Sequence, residues 1–233
     1  MNKLLSKFAN SIERFLVGDF KQLLIFLILL FVFRPYNIGL DYILIWHIFF
    51  TGVLLAAVFN CHHAQWVKIF ALILGIPTFI INWWSLFQLT EWLFIAGLIA
   101  SLLFLVFSIF SLVNRVLLGK VTADVLRGTI CVYFMIGFAF AICYTLIELV
   151  HGGAFRGLEM QQALFPHGHY QSEMVYFSFI TLLAIGYGDI TPTGDIGQML
   201  AVSEGIIGQF YLAILVARMV AAYARRAIGP VKK

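Results

Sequence analysis

The sequence predicts an all-α membrane protein with six transmembrane helices per chain, on three observations. Of its 233 residues 62% are apolar and only 11% charged, and the mean hydropathy is +0.98, outside the range of soluble globular domains. Six apolar runs account for nearly the whole chain, five of them close to the ~20 residues that a hydrocarbon core of about 30 Å requires. A half-length apolar run followed by alternating glycines, between the fifth and sixth helices, predicts a segment that enters the membrane and returns on the same side.

The first helix is the short one, Leu23 to Phe33, bounded by Lys21 and Arg34, whose long side chains can snorkel to the headgroups. The others run from Tyr42 to Asn60, Trp66 to Trp84, Trp92 to Val113, Gly128 to Val150 and Gly197 to Tyr223. Trp66, Trp83, Trp84 and Trp92 fall at the ends of these segments, the depth an indole prefers. Orientation follows from the basic residues, which membrane proteins concentrate in cytoplasmic loops. With the N-terminus inside, Lys3, Lys7, Arg14, Lys21, Lys68, Arg115, Lys120, Arg127, Arg225, Arg226, Lys232 and Lys233 are cytoplasmic and only Arg34 and Arg156 external. Both termini are therefore expected in the cytoplasm. The net charge of +4 is an orientation signal, and without a clustered basic face it does not predict nucleic-acid binding.

The expected organisation is an interfacial amphipathic segment over 1–19, a four-helix transmembrane domain over 20–115 and a two-helix module over 116–233 that holds the re-entrant segment. In the first, Leu5, Phe8, Ile12 and Leu16 share one face and Lys3, Lys7 and Arg14 lie elsewhere, as in a helix on the inner leaflet. A cleaved signal peptide is not expected, because the apolar stretch starts late and no small-residue cleavage site follows a short apolar run. Cys61, Cys131 and Cys143 are an odd number and suggest packing, not a disulfide framework.

The fourth helix, Trp92 to Val113, carries no basic residue, whereas a voltage sensor needs Arg or Lys at every third position to move charge through the field. Gating by such a sensor is not expected. His62 and His63 beside Cys61, and His151, His167 and His169, read as ordinary polar loop residues, since no spaced fourth metal ligand accompanies them. His151-Gly152-Gly153 has no Gly-x-Ser-x-Gly partner, and no phosphate-binding loop is present. Enzymatic activity and an organic cofactor are not expected.

Between the fifth and sixth helices, Gln171 to Leu183 is too apolar for an external loop. At 1.5 Å per residue such a helix reaches only about 18 Å, half of a membrane. Ile185-Gly186-Tyr187-Gly188 follows, then Asp189-Ile190-Thr191-Pro192. Glycines alternating with larger residues admit backbone angles closed to other residues, so successive carbonyls can point one way. Four such strands around an axis would stack rings of oxygens able to replace a cation's hydration shell, the general device of carbonyl-lined filters. The end of the half-helix near Leu183 would aim its negative dipole end at the cavity below.

With these residues in view, 124–225 resembles the pore module of potassium channels of prokaryotic type: outer helix, pore helix, GYG selectivity filter and inner helix, in that order. Tyr176-Phe177-Ser178-Phe179-Ile180-Thr181 is similar to the aromatic-rich pore helix of that family, and Pro192, Gly197 and Gly208 fall at the family's distances after the filter. The resemblance covers a little under half of the chain. It implies a homotetrameric pore in a lipid bilayer, passive conduction of K+ and carbonyl ligands from Ala184, Ile185, Gly186 and Tyr187, with K+ as the permeant ligand and no other metal. Gly188, Asp189, Thr181, Tyr176 and Phe177 would support the filter, with Tyr176 or Phe177 buttressing Tyr187. The tail Ala224 to Lys233 leaves no room for a cytoplasmic ligand domain, a compact form similar to prokaryotic channels that implies an inner (plasma) membrane. The gating ligand or stimulus is open.

Ala184 departs from the family, which has Thr there, so four hydroxyls are missing from the innermost ion site. A non-selective monovalent cation channel and a non-conducting sensor or accessory subunit remain as alternatives. Glu204 lies mid-helix, where a carboxyl is expensive and usually functional. If Gly208 is a hinge and Gln209, Leu212 and Val216 face the cavity, helical spacing turns Glu204 behind the filter, toward Thr181 or Ser178. Arg218, near the inner end, is expected to border a cytoplasmic gate or to snorkel.

Overall fold

Seven α-helices and one short β-ladder make up the residues that the computed structural model describes, 20–33, 40–60, 65–87, 90–118, 122–158 and 168–228. The helices are α1 (Phe20–Val32), α2 (Leu40–Asn60), α3 (Gln65–Ser85), α4 (Glu91–Leu118), α5 (Ala123–His151), α6 (Gly168–Leu182) and α7 (Asp195–Ile228). Strand β1 (Phe155–Arg156) pairs antiparallel with β2 (Thr191–Pro192), Phe155 opposite Pro192 and Arg156 opposite Thr191. The interfacial segment 1–19, Cys61, His62, His63 and His167 lie outside the described residues.

Among the described residues four helices are long and apolar enough to cross a membrane: Gln65–Ser85, Glu91–Val116, Ala123–His151 and Asp195–Ala221. The other two expected spans, Leu23 to Phe33 and Tyr42 to Asn60, fall on shorter apolar helical stretches, Phe20–Val32 and Leu44–Asn60. The half-length helix α6 stands between α5 and α7 in the chain, as the apolar pattern predicts.

Helix α5 is the hub, packed against α1, α4, α6 and α7. It starts at Thr122, whose hydroxyl accepts from the Val125 N–H, leaving the first turn capped. Helix α1 buries Phe20, Leu23, Leu27 and Leu30, an i, i+3, i+4 stripe, against α2 and α5. Its first N–H, on Phe20, donates to Asp124 Oδ1 on α5 at 3.0 Å, so the cap comes from another helix and starts α1 three residues before Leu23. The Phe20 ring fills the space where a Cβ on Gly128 would stand, 2.8 Å from the nearest ring carbon. Arg115 lies over the same ring, 4.6 Å from its centroid, and donates to the Asn60 carbonyl at 3.1 Å. The ends of α1, α2, α4 and α5 are thereby tied at one level.

Helices α3 and α4 pack through small and polar groups, the usual chemistry of helix pairs in lipid. Gly75 accepts Phe104, and Asn82 donates to the Thr78 carbonyl and to Ser101 Oγ. Pro77, inside α3, has no N–H to give. The neighbouring Thr78 hydroxyl lies 2.7 Å from the Leu74 carbonyl and 3.1 Å from the Ala100 carbonyl on α4, joining the pair beside the break.

Candidate functional site

Helix α6 is held from behind by rings and hydroxyls. Phe179 occupies the notch left by Gly137, where a Cβ would be 2.9 Å from the ring, and packs on Phe31 of α1 and on Phe134 and Phe138 of α5. Ser178 Oγ lies 2.7 Å from the Gly137 carbonyl and 2.5 Å from Glu204 Oε1. The Tyr133 hydroxyl donates to the Leu182 carbonyl at 3.1 Å, one of the orphan acceptors at the helix end.

The helix ends in two paired bonds, Ala184 N–H to the Thr181 carbonyl at 2.9 Å and Ile185 N–H to the Ile180 carbonyl at 2.8 Å. This is the Schellman arrangement, which requires a left-handed residue at the position after the cap. Ala184 supplies it with φ 55°, the only non-glycine of positive φ among the described residues. Left-handed backbone costs an L-residue about 1–2 kcal/mol, and the clash is worse for a β-branched side chain. Positive φ then returns at Gly186 (58°) and Gly188 (79°), but not at Ile185 or Tyr187. The sign of φ thus alternates from Ala184 to Gly188. Residues 183–189 are all exposed in the single chain, Tyr187 by 69%.

Beyond the strand the chain is strapped down. Asp189 accepts from the Tyr176 hydroxyl at 2.6 Å and from the Ile190 N–H at 3.0 Å. The Tyr176 hydrogen bond, aided by the Ile190 N–H, holds the Asp189 carboxyl below its ordinary range. Pro192 and Thr191 pair with β1, and the Thr193 N–H donates to the Ala154 carbonyl at 2.9 Å. Gly157 has φ 90°, and a Cβ there would stand 1.8 Å from the Asp189 carbonyl oxygen, so no larger residue fits. Glu148 closes the α5 end of this strap, accepting from the N–H groups of Gly153 and Phe155 at 2.8 and 3.0 Å.

On α7 one face is inward. Glu204 is fully buried, Gly208 is buried, and Tyr211 and Arg218 continue the stripe half-buried, while Gln209 and Val216 are exposed and Leu212 is intermediate. Glu204 meets Ser178 on α6 and Tyr144 on α5, whose hydroxyl donates to Oε2 at 2.6 Å. Ser178 is one of the two partners that helical spacing suggested for Glu204. Thr181, the other, instead accepts the Ala184 N–H through its backbone carbonyl.

Three further groups of candidate residues have identifiable neighbours. Phe177 packs edge-on against Tyr144 and Phe155 in the cluster below the strap, and the Tyr176 hydroxyl reaches Asp189, two residues beyond Tyr187. Arg218, expected to border a gate or to snorkel, lies on the face of α7 opposite Gln209 and donates to the Val116 carbonyl near the end of α4, satisfying an orphan acceptor. Gly208 does not interrupt α7, which continues through it to Ile228; it is small because the Leu182 carbonyl lies against it.

Tyr144, Tyr133 and Glu148 were missed. A tyrosine in an apolar helix carries a hydroxyl that seeks a partner when buried, and that is the signal present in the sequence. The partners, however, lie 60 and 49 positions away. Among the described residues no group of three or more His, Cys, Asp or Glu gathers as a metal site.

The nearly all-helical fold and its apolar helices are those of an all-α integral membrane protein. Residues 129–225 match the family model described as "Ion channel", which supports an ion channel family for this chain. Among curated proteins, the chain is 28% identical over 128 residues to Protein LctB of Bacillus caldotenax, covering 49% of this chain and 94% of that one. It is 44% identical over 48 residues to Protein LctB of Geobacillus stearothermophilus, covering 21% of this chain and 35% of that one. No solved structure matches the chain with significance.

Proposed function

We propose that this chain is one quarter of a homotetrameric, potassium-selective channel that conducts K+ passively across a prokaryotic inner membrane, with both termini cytoplasmic. The observation that carries the reading is the alternation of φ sign from Ala184 to Gly188, which lets the carbonyls of Ala184, Ile185, Gly186 and Tyr187 share one side of the strand. One strand supplies a quarter of each oxygen ring, so the rings require three further copies. The exposed apolar side chains of α7, among them Met199, Val202, Phe210 and Ile214, offer a surface for those copies and for the cavity. Gln209, Leu212 and Val216 would line the cavity below the filter.

Gating does not proceed through gating charges. Within α4 the one basic residue is Arg115 in its last turn, already engaged with Phe20 and Asn60. Instead α1 touches the pore helix directly, Phe31 on Phe179 at 4.7 Å, and provides a route by which the first four helices act on the filter.

A second reading, a non-selective monovalent cation channel, is favoured by Ala184, whose methyl brings no ligand to the inner site. The two separate by ion flux into liposomes that carry the purified protein. Rubidium and potassium uptake with little sodium uptake is expected; equal sodium uptake supports the second reading, and no uptake of either ion removes both.

A further inference from the structure

We propose that Glu204 is a carboxylic acid, and that it is the middle of a one-way hydrogen-bond relay, Tyr144 to Glu204 to Ser178 to the Gly137 carbonyl, that positions the pore helix. Three oxygen pairs are in contact: Tyr144 hydroxyl with Glu204 Oε2 at 2.6 Å, Ser178 Oγ with Glu204 Oε1 at 2.5 Å, and Ser178 Oγ with the Gly137 carbonyl at 2.7 Å. Each pair needs one hydrogen between its oxygens. A backbone carbonyl has none to give, so the serine's single hydrogen is committed to Gly137. The contact with Oε1 then needs a second hydrogen. Only the carboxyl can supply it.

The other end of the relay fixes which carboxyl oxygen carries the proton. Tyr144 has no other hydrogen-bond partner among the described residues, and its phenolic hydrogen fills the contact with Oε2. The acid proton therefore belongs to Oε1. Three contacts and three hydrogens balance; with a carboxylate the count falls one short, and two oxygens would face each other lone pair to lone pair at 2.5 Å.

The surroundings agree with a neutral group. Glu204 is fully buried and forms no ion pair among the described residues. Among the described residues, the titratable groups that Glu204 acts on are Tyr144, in contact with it, and Tyr133 and Cys143 nearby, all on α5 and none of them a cation. Ser178 faces it from α6, and α7 carries no other charged residue within a turn on either side. An unpaired carboxylate buried in such a place is strongly disfavoured, because it gives up its hydration with no cation in return.

The relay binds α5, α6 and α7 to one another directly behind the helix that carries the filter, and does so without placing a fixed charge there. Removing the acid proton forces a choice on Ser178: its hydrogen serves either the carboxylate or Gly137, and one of the three ties is lost. Alkalinisation should then loosen the pore helix. The protonation state stands independently of the proposed function; only its effect on conduction rests on the channel reading.

Infrared spectroscopy of the full-length wild-type protein tests the first part. A protonated-carboxyl C=O band is expected at neutral pH, lost in Glu204→Gln and lost in the wild type on alkalinisation. Its absence from the folded wild type overturns the proposal. The second test uses chemistry. Glu204→Gln presents a carbonyl to Tyr144 and an N–H to Ser178, the same pattern as the acid, so K+ affinity and thermal stability should be retained and the alkaline loss of flux abolished. Glu204→Ala and Ser178→Ala cut the relay and should weaken K+ binding about fivefold or more, one hydrogen bond's worth. If Glu204→Gln fails to assemble, or behaves as Glu204→Ala does, the carboxyl is ionised and the relay is wrong. If the band and the amide rescue are found but no variant or wild type conducts, the relay stands and the channel reading fails.

Discussion

The carbonyl oxygen of Leu182 lies 2.6 Å from the position a Cβ on Gly208 would take, so α6 and α7 meet backbone to backbone at the level where α6 ends. Adding a methyl at Gly208 must push the inner helix away or displace the Leu182 carbonyl and the Leu182 side chain, whose Cδ1 is also 2.9 Å from that Cβ position. Overpacking of this kind costs about 1–3 kcal/mol, more than the roughly 1 kcal/mol that Ala gains over Gly in a helix. Gly208→Ala should therefore lower the thermal unfolding midpoint and alter filter selectivity. A hinge role alone predicts a changed open probability with unchanged selectivity.

Ala184 gives a prediction in two directions. Ala184→Gly removes the strain of φ 55° and should stabilise the helix end by about 1 kcal/mol, measured by thermal unfolding. Ala184→Thr adds a hydroxyl to the proposed inner ion site and should strengthen K+ binding in a titration, while lowering thermal stability because a β-branched residue is forced into left-handed backbone. Unchanged K+ binding would show that the hydroxyl is unimportant here.

At the proposed outer mouth, the Tyr176 hydroxyl holds the Asp189 carboxyl below its ordinary value of 3.8. A carboxyl whose folded pKa is depressed contributes stability that is present above its unfolded pKa and lost as pH falls through the folded one. The contact therefore persists into acid that would protonate an ordinary aspartate. In Tyr176→Phe the largest cause of the depression is gone, so acid loss of flux should begin at higher pH than in the wild type, readable in a pH series of liposome flux. An unshifted acid limb would show that Asp189 does not govern the mouth.

Phe31 offers a test of communication between α1 and the pore helix. Phe31→Ala removes a ring that lies 4.7 Å from Phe179 and also packs edge-on against Phe134. Truncating a fully buried Phe costs about 3–5 kcal/mol. Phe31 is only partly buried, so the loss should be smaller, at most about 3 kcal/mol in thermal unfolding. Flux should change even at temperatures where the variant is fully folded; flux that matches the wild type under those conditions argues against a route through this contact.

Composition and spacing made much of this molecule legible. The apolar runs marked six helical segments, the length of Gln171–Leu183 called for a half-membrane helix, and Gly186 and Gly188 marked a strand of unusual backbone, because hydropathy, helix rise and glycine's φ range are local properties. Local pattern also turned Glu204 away from Gln209. It did not name Tyr144 as the partner, nor reveal that Arg218 ends on Val116, that Gly208 is small for the sake of Leu182, or that Asp124 caps α1. Each of those is a contact between residues at least 26 positions apart, made when helices with nearly uniform apolar surfaces choose one mutual rotation, and only the assembled fold makes that choice. The left-handed turn at Ala184 belongs with them: alanine by itself does not ask for positive φ, and the paired bonds that close α6 impose it.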